Sequence, residues 1–302
     1  MCANVLNLSA RFADPDLATA TIRILSKRNS FLSTYHYEAL LETYVGAGDI
    51  ITAFRILKIM SKAGIEPTSG STRALFIHLS RDYETARGGI KMLHDLKNDG
   101  HVLPIAATNV VIEALVKTKN HKEAMKLYEQ LHTICPSGPN TETFNILLSS
   151  ANRGMATKDR AIFLSSELRA LNVSPDQITY DRLIIICLDR KNKDYEDAFR
   201  YLSEMIEVGR GQKDRDGKKG WWMRPGTAAM AVMRCVEARD ERAWGVLEEM
   251  EVRWGGWGRF RKECEANWEK AGKGENIWWD RGRENKDEKK TEVLEEQEVQ
   301  AA

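Results

Sequence analysis

Residues 34–68 read TYHYEALLETYVGAGDIITAFRILKIMSKAGIEPT, and the fold of the whole chain follows from this stretch. Tyr37, Leu40, Leu41 and Tyr44 recur at i, i+3, i+4 and i+7, which places them on one face of a helix. Gly46-Ala47-Gly48-Asp49 interrupts the pattern. Glycine tolerates the positive φ that ends a helix, and Asp49 has the short carboxylate that caps the next one. Ala53, Ile56, Leu57 and Met60 then repeat the spacing, with Ala53 small enough for close helix approach. Gly64 and Pro67 close the unit, because proline lacks an amide hydrogen and biases Glu66 away from helix. One such hairpin cannot bury its apolar face alone; stacked copies can.

The unit recurs about every 35 residues, the signature of a repeat protein. Ile105–Asn140 carries Thr108-Asn109, Leu115, Glu123-Ala124 and Leu127-Tyr128. Thr141–Asp176 carries Thr143-Phe144-Asn145-Ile146-Leu147, Ala161, Leu168 and the closing run Asn172-Val173-Ser174-Pro175-Asp176. Gln177–Gly209 carries Thr179-Tyr180-Asp181-Arg182-Leu183, Ala198, Tyr201, Leu202 and Met205. Ser69–Pro104 reads as a poorer copy, with Gly88-Gly89 where the packing alanine is expected, and Pro225–Arg253 as a last, degenerate one. The expected fold is all-α, a right-handed α-solenoid. The expected organisation is a partial repeat over 1–33, a repeat array over 34–209, a flexible basic loop over 210–224, a degenerate repeat and cap over 225–270, and a disordered charged tail over 271–302.

Composition limits the function classes. The 302 residues include 45 Lys+Arg and 44 Asp+Glu, a formal net charge of +1, so no whole-chain basic field draws in nucleic acid. Basic charge is local: Arg210, Lys213, Arg215, Lys218, Lys219 and Arg224 stand against Asp214 and Asp216. The five cysteines are scattered with no C-x-x-C, which fits neither a disulfide framework nor a zinc site. No apolar run approaches the ~18 residues of a membrane span. Residues 1–30 do not read as a targeting peptide, since Arg11 is the only basic residue before Arg23. The chain reads as opening inside a repeat, as a shortened form of a longer array would.

All eight Trp follow residue 220. Trp244, Trp254 and Trp268 read as an end plug, while Trp221-Trp222, beside Lys218-Lys219, read as the best candidates for stacking on bases. Nucleotide-binding, esterase and zinc-protease motifs are absent; His36-Tyr37-Glu38 matches H-x-E by chance, because the P-C-x-x-C of zinc deaminases is missing. The reading is of a non-enzyme with no cofactor and no metal.

Thr143–Leu148 with Asn172–Asp176, repeated in register by the other copies, resembles the pentatricopeptide repeat family. The competing tetratricopeptide array is marked by an early Trp, and none occurs before Trp221. The resemblance points to a mitochondrial member of the fungal type. It implies that first helices line a groove and that each repeat reads about one RNA base, through the fifth residue and the last. Carried onto this sequence, the base-reading positions are Glu38 with Thr68, Asn109 with Asn140, and Asn145 with Asp176, while Asp181 is a fifth residue whose partner the loop obscures. Asn145/Asp176 resembles a uridine-preferring pair and Asn109/Asn140 a pyrimidine-preferring one. Arg73, Lys218 and Lys219 suit phosphate; Ile178 and Tyr35 suit clamping or stacking, whereas Gly70, Ala106 and Glu142 are weak clamps. The implied partner is single-stranded or structured RNA of an organelle, the implied setting the mitochondrion. A protein-interaction scaffold is the alternative. A basic stripe joining Arg73, Lys117 and the 209–224 loop favours RNA; an acidic or apolar groove favours protein.

Overall fold

The computed structural model describes residues 2–28, 31–150, 158–189, 195–214, 216–277 and 279. Within them the chain is helical, and its only β pairing is an isolated bridge between Lys213 and Lys219. Seven hairpins follow one another: α1 (Cys2–Phe12) with α2 (Pro15–Lys27), α3 (Thr34–Gly46) with α4 (Ile50–Lys62), α5 (Arg73–Leu79) with α6 (Tyr83–Asn98), and α7 (Ile105–Lys117) with α8 (His121–Glu129) and the short α9 (Leu131–Ile134). Then come α10 (Thr141–Ser150) with α11 (Lys158–Ala170), α12 (Gln177–Cys187) with α13 (Glu196–Val208), and α14 (Pro225–Glu237) with α15 (Arg242–Trp254); α16 (Gly258–Gly272) ends the row.

Local chemistry sets these elements. Asp49 caps α4 by accepting from the Thr52 amide at 3.0 Å, and Gly48 and Gly64 take positive φ where the helices stop. The first helices pack side by side, α1 on α3, α3 on α5, and so on through α14, on which α16 takes the next place. Second helices wedge between, with α2 also on α3, α6 on α7 and α11 on α12. The result is an α-solenoid with one continuous core.

The small residue expected in each second helix is present throughout: Ala53, Ala86, Ala124, Ala161, Ala198 and Ala243 are all buried. Ala86, not Gly88-Gly89, holds that place in the poor copy, because it stands four residues after the cap Asp82 as Ala53 stands four after Asp49. Gly89 is buried as well, and a Cβ there would meet Val111 Cγ2 at 3.2 Å and Leu79 Cδ2 at 3.3 Å. What is poor in this copy is its first helix. Ser69-Gly70-Ser71-Thr72 forms turns instead of helix, since Ser and Thr hydroxyls compete for backbone partners and Gly has a high entropy cost in a helix.

Residues 2–28 form a two-helix hairpin, α1 with α2. The 210–224 segment folds back on the solenoid: Trp222 and Met223 are buried, and the Lys218 ammonium donates to the Arg253 carbonyl. Arg215, Trp278, and the tail expected beyond residue 279 lie outside the described residues, while Trp279 Nε1 donates to Glu237 at 2.9 Å. No helix among the described residues is long and apolar enough to cross a membrane.

Candidate RNA-reading face

Every predicted base-reading pair falls on the first-helix row, where one hydrogen-bonded pattern recurs. Thr143 lies three residues past Asn140, and Asn109 comes from the preceding first helix. Asn109 Nδ2 donates to Asn140 Oδ1 at 3.1 Å, the Thr143 hydroxyl donates to Asn109 Oδ1 at 2.7 Å, and the Thr143 amide donates to Asn140 Oδ1 at 3.0 Å. One repeat on, Asn145 Nδ2 donates to both carboxylate oxygens of Asp176 at 3.1 and 3.2 Å. The Thr179 hydroxyl lies 2.9 Å from Asn145 Oδ1, and the Thr179 amide donates to Asp176 at 2.8 Å, completing a capping box. Asn109 and Asn145 are thus buried but hydrogen-bonded, as buried amides must be, and Asn140 and Asp176 are half-exposed beside them. Asp176 Oδ1 already accepts from Asn145 and from the Thr179 amide and hydroxyl, so the acceptor capacity left for a donor on a base edge is on Oδ2.

The third threonine in this register, Thr227, follows Arg224 by the same three residues. Here the fifth-position residue is Asp181, wholly buried. The Arg224 amide donates to Asp181 Oδ1 at 3.0 Å, and its guanidinium reaches Oδ2 through Nε at 2.6 Å and Nη2 at 2.5 Å. The loop therefore supplies Asp181 with a partner instead of removing one. The shared Thr spacing was the signal for Arg224 that the sequence reading passed over.

Glu38 and Thr68 form no direct bond; Ser71 stands between them, donating to Glu38 Oε1 at 3.3 Å and lying 3.5 Å from Thr68 Oγ1. Arg73 is exposed and shares a recess with Glu38, Glu42, Ser71 and Ile77. Tyr35 is exposed, donates its hydroxyl to Asn7, and packs edge-on against His36, leaving ring surface open; Ile178 is half-buried. Lys219 is exposed, but Lys218 is committed elsewhere, over the Trp254 ring and on the Arg253 carbonyl, so a phosphate role for it is corrected. Base stacking by Trp222 is corrected too. Its ring is buried against Trp254 at 5.5 Å, and Trp221 lies so close over Gly209 that any Cβ there would collide at 2.3 Å. Trp244 and Trp268 meet at 5.3 Å beneath the end of the solenoid, so they plug it.

The face is not a basic stripe. Glu42 stands one turn from Glu38, and Glu113 and Glu142 lie close together. Burial, and for Glu113 the nearby Glu142 charge, push both carboxyls above the usual range, while Asn109 donates a hydrogen bond to Glu142. Arg182, which sequence reasoning did not single out, donates to the Asn145 backbone carbonyl and is held below the usual guanidinium value by burial and by Arg224. No group of three or more His, Cys, Asp or Glu among the described residues is placed to hold a metal ion. Burial pushes the Cys235 thiol up to about 12, which leaves it uncharged and unreactive.

A row of hairpins with a recurrent polar contact at fixed positions defines a helical-repeat solenoid. Residues 1–131 match the family model described as pentatricopeptide repeat-containing protein. No curated protein sequence matches the chain. Among solved structures, the pentatricopeptide repeat protein PPR10 from maize aligns with a TM-score of 0.44 and 18% identity, over 88% of this chain and 36% of that one. PPR10 in complex with an 18-nt psaJ RNA element aligns at 0.43 and 17%, over 83% of this chain and 39% of that one. This chain thus spans well under two thirds of the length of those chains.

Proposed function

We propose that this protein binds RNA along the face of its first helices, without chemistry of its own, and acts in a mitochondrion on the processing, stability or translation of a transcript or on small-subunit ribosomal RNA maturation. The observation that carries the binding reading is the repeated Asn–Asn/Asp–Thr contact at Asn109/Asn140 and Asn145/Asp176, which fixes two amides in successive repeats at one height on one face. Base-per-repeat recognition needs such a ladder. The organelle and the kind of RNA rest on the family resemblance alone.

Near-zero net charge and the carboxylates Glu38, Glu42, Glu113 and Glu142 shape the expected affinity. Few phosphate contacts mean a shallow salt dependence. Titration of labelled single-stranded RNA over a salt series checks this: saturable binding with a shallow slope supports the reading, and no binding at low salt overturns it. The acidic side chains also favour a second reading, a protein scaffold, which recovery of a stoichiometric protein partner without RNA would support. Imaging the tagged full-length protein tests the compartment: overlap with a mitochondrial marker is expected, and a purely cytosolic signal contradicts it.

A further inference from the structure

Three positions on this face share one register, with a threonine three residues past the closing residue, and differ in chemistry: the Asn140 and Asp176 amides donate to that threonine's hydroxyl, whereas the Arg224 amide donates to Asp181. At Asn109/Asn140 and Asn145/Asp176 an amide meets a neutral or singly charged partner, and donors and acceptors remain on the half-exposed closing residue. At Asp181/Arg224 a carboxylate meets a guanidinium. Asp181 accepts three donors from Arg224, one from the backbone and two from the side chain, and its side chain is 1% exposed. Because Asp181 is wholly buried it offers no acceptor to an incoming base, and withdrawing it from Arg224 strands a buried charge. Arg224 in turn is held by its backbone as well as its side chain, and the residues before it are anchored by Trp222 beneath Arg253 and by Lys218 over Trp254.

Resting on the RNA-binding reading above, we infer that Asp181 and Arg224 form a closed position that ends base reading on this face at Asn145/Asp176. The repeat of α12 and α13 holds its place in the solenoid but selects no base. The insertion before α14 serves to deliver Arg224 to Asp181. The chemistry is reversible by exchange, since Thr227 is buried and already stands where Thr179 stands relative to Asp176. Asp at position 224 would cap α14 as Asp176 caps α12, so the pair D181N/R224D rebuilds the neighbouring position. The pair N145D/D176R does the opposite.

The test is selection of a randomised single-stranded RNA pool on the full chain, with sequencing of the bound fraction. Asn109→Ala and Asn145→Ala mark which selected positions belong to which repeat. D181N/R224D is expected to add one selected base beyond that of Asn145, on the side away from that of Asn109, with enrichment on the order of tenfold. N145D/D176R is expected to remove the Asn145 base and leave that of Asn109. A wild-type preference that Asp181→Ala erases overturns the inference, and so does an unchanged preference in a D181N/R224D protein whose circular dichroism matches wild type. If D181N/R224D does not fold, the decision falls to N145D/D176R: retention of the Asn145 base there overturns the inference. Absence of any RNA retention by the wild-type chain overturns the RNA-binding reading itself, and with it this one.

Discussion

Thr179 joins three side chains of two repeats: its hydroxyl lies within 2.9 Å of Asn145 Oδ1 and 2.8 Å of Asp176 Oδ1, and its amide caps onto the same carboxylate. Thr179→Val keeps the shape and removes the hydroxyl, leaving a buried amide oxygen short of a donor. A loss of about 1–3 kcal/mol is expected, read as a lower urea midpoint with an unchanged slope. Glu113 sets a pH dependence. Its folded pKa is raised above the ordinary value of 4.5 by burial and by Glu142. The fold is therefore penalised above that raised value and relieved as pH falls through it toward the ordinary one. Glu113→Gln should raise the thermal midpoint at pH 7, with the advantage over wild type shrinking on acidification through that window. A constant difference across the window contradicts this. Asn109/Asn140 and Asn145/Asp176 were singled out by carrying the family resemblance onto these positions, and the members of each pair do meet. Arg224 was not, because the insertion hid a register that only Thr227 preserves.

Among elements, the second helices show the strongest link from sequence to packing. Ala53 is fully buried where α4 meets its neighbours, among Ile56, Leu57 and Met60. Ala53→Leu adds volume to a site with no room for it, and a loss of about 1–3 kcal/mol is expected, measured by chemical denaturation; a neutral effect would mean the helices are not in close contact there. Hairpin existence was readable from apolar periodicity and from Gly–Asp and Gly–Pro punctuation. The shortened α5 was not, since the competition between turn and helix at Ser69–Thr72 is settled by local side-chain hydrogen bonds that periodicity does not register. The packed end of the 210–224 segment was not readable for a related reason. The segment's polar composition reads as mobile, yet Trp221, Trp222 and Met223 at its end pack against the core.

For the whole molecule, the solenoid arises because no hairpin can bury its own apolar face, and the Trp-rich end with α16 covers the last one. The face it presents carries two neighbouring amide positions, one closed ion pair, and acidic side chains between them. That composition predicts selective recognition of a short RNA element at modest affinity, not broad electrostatic capture. The most direct measurement is crosslinking of the tagged protein in its own cells, followed by sequencing of the RNA attached to it. The account predicts one focused peak on a single transcript or ribosomal RNA, diminished by Asn145→Ala and retained with Lys218→Ala. RNA at background level, or a peak indifferent to Asn145→Ala, would contradict it.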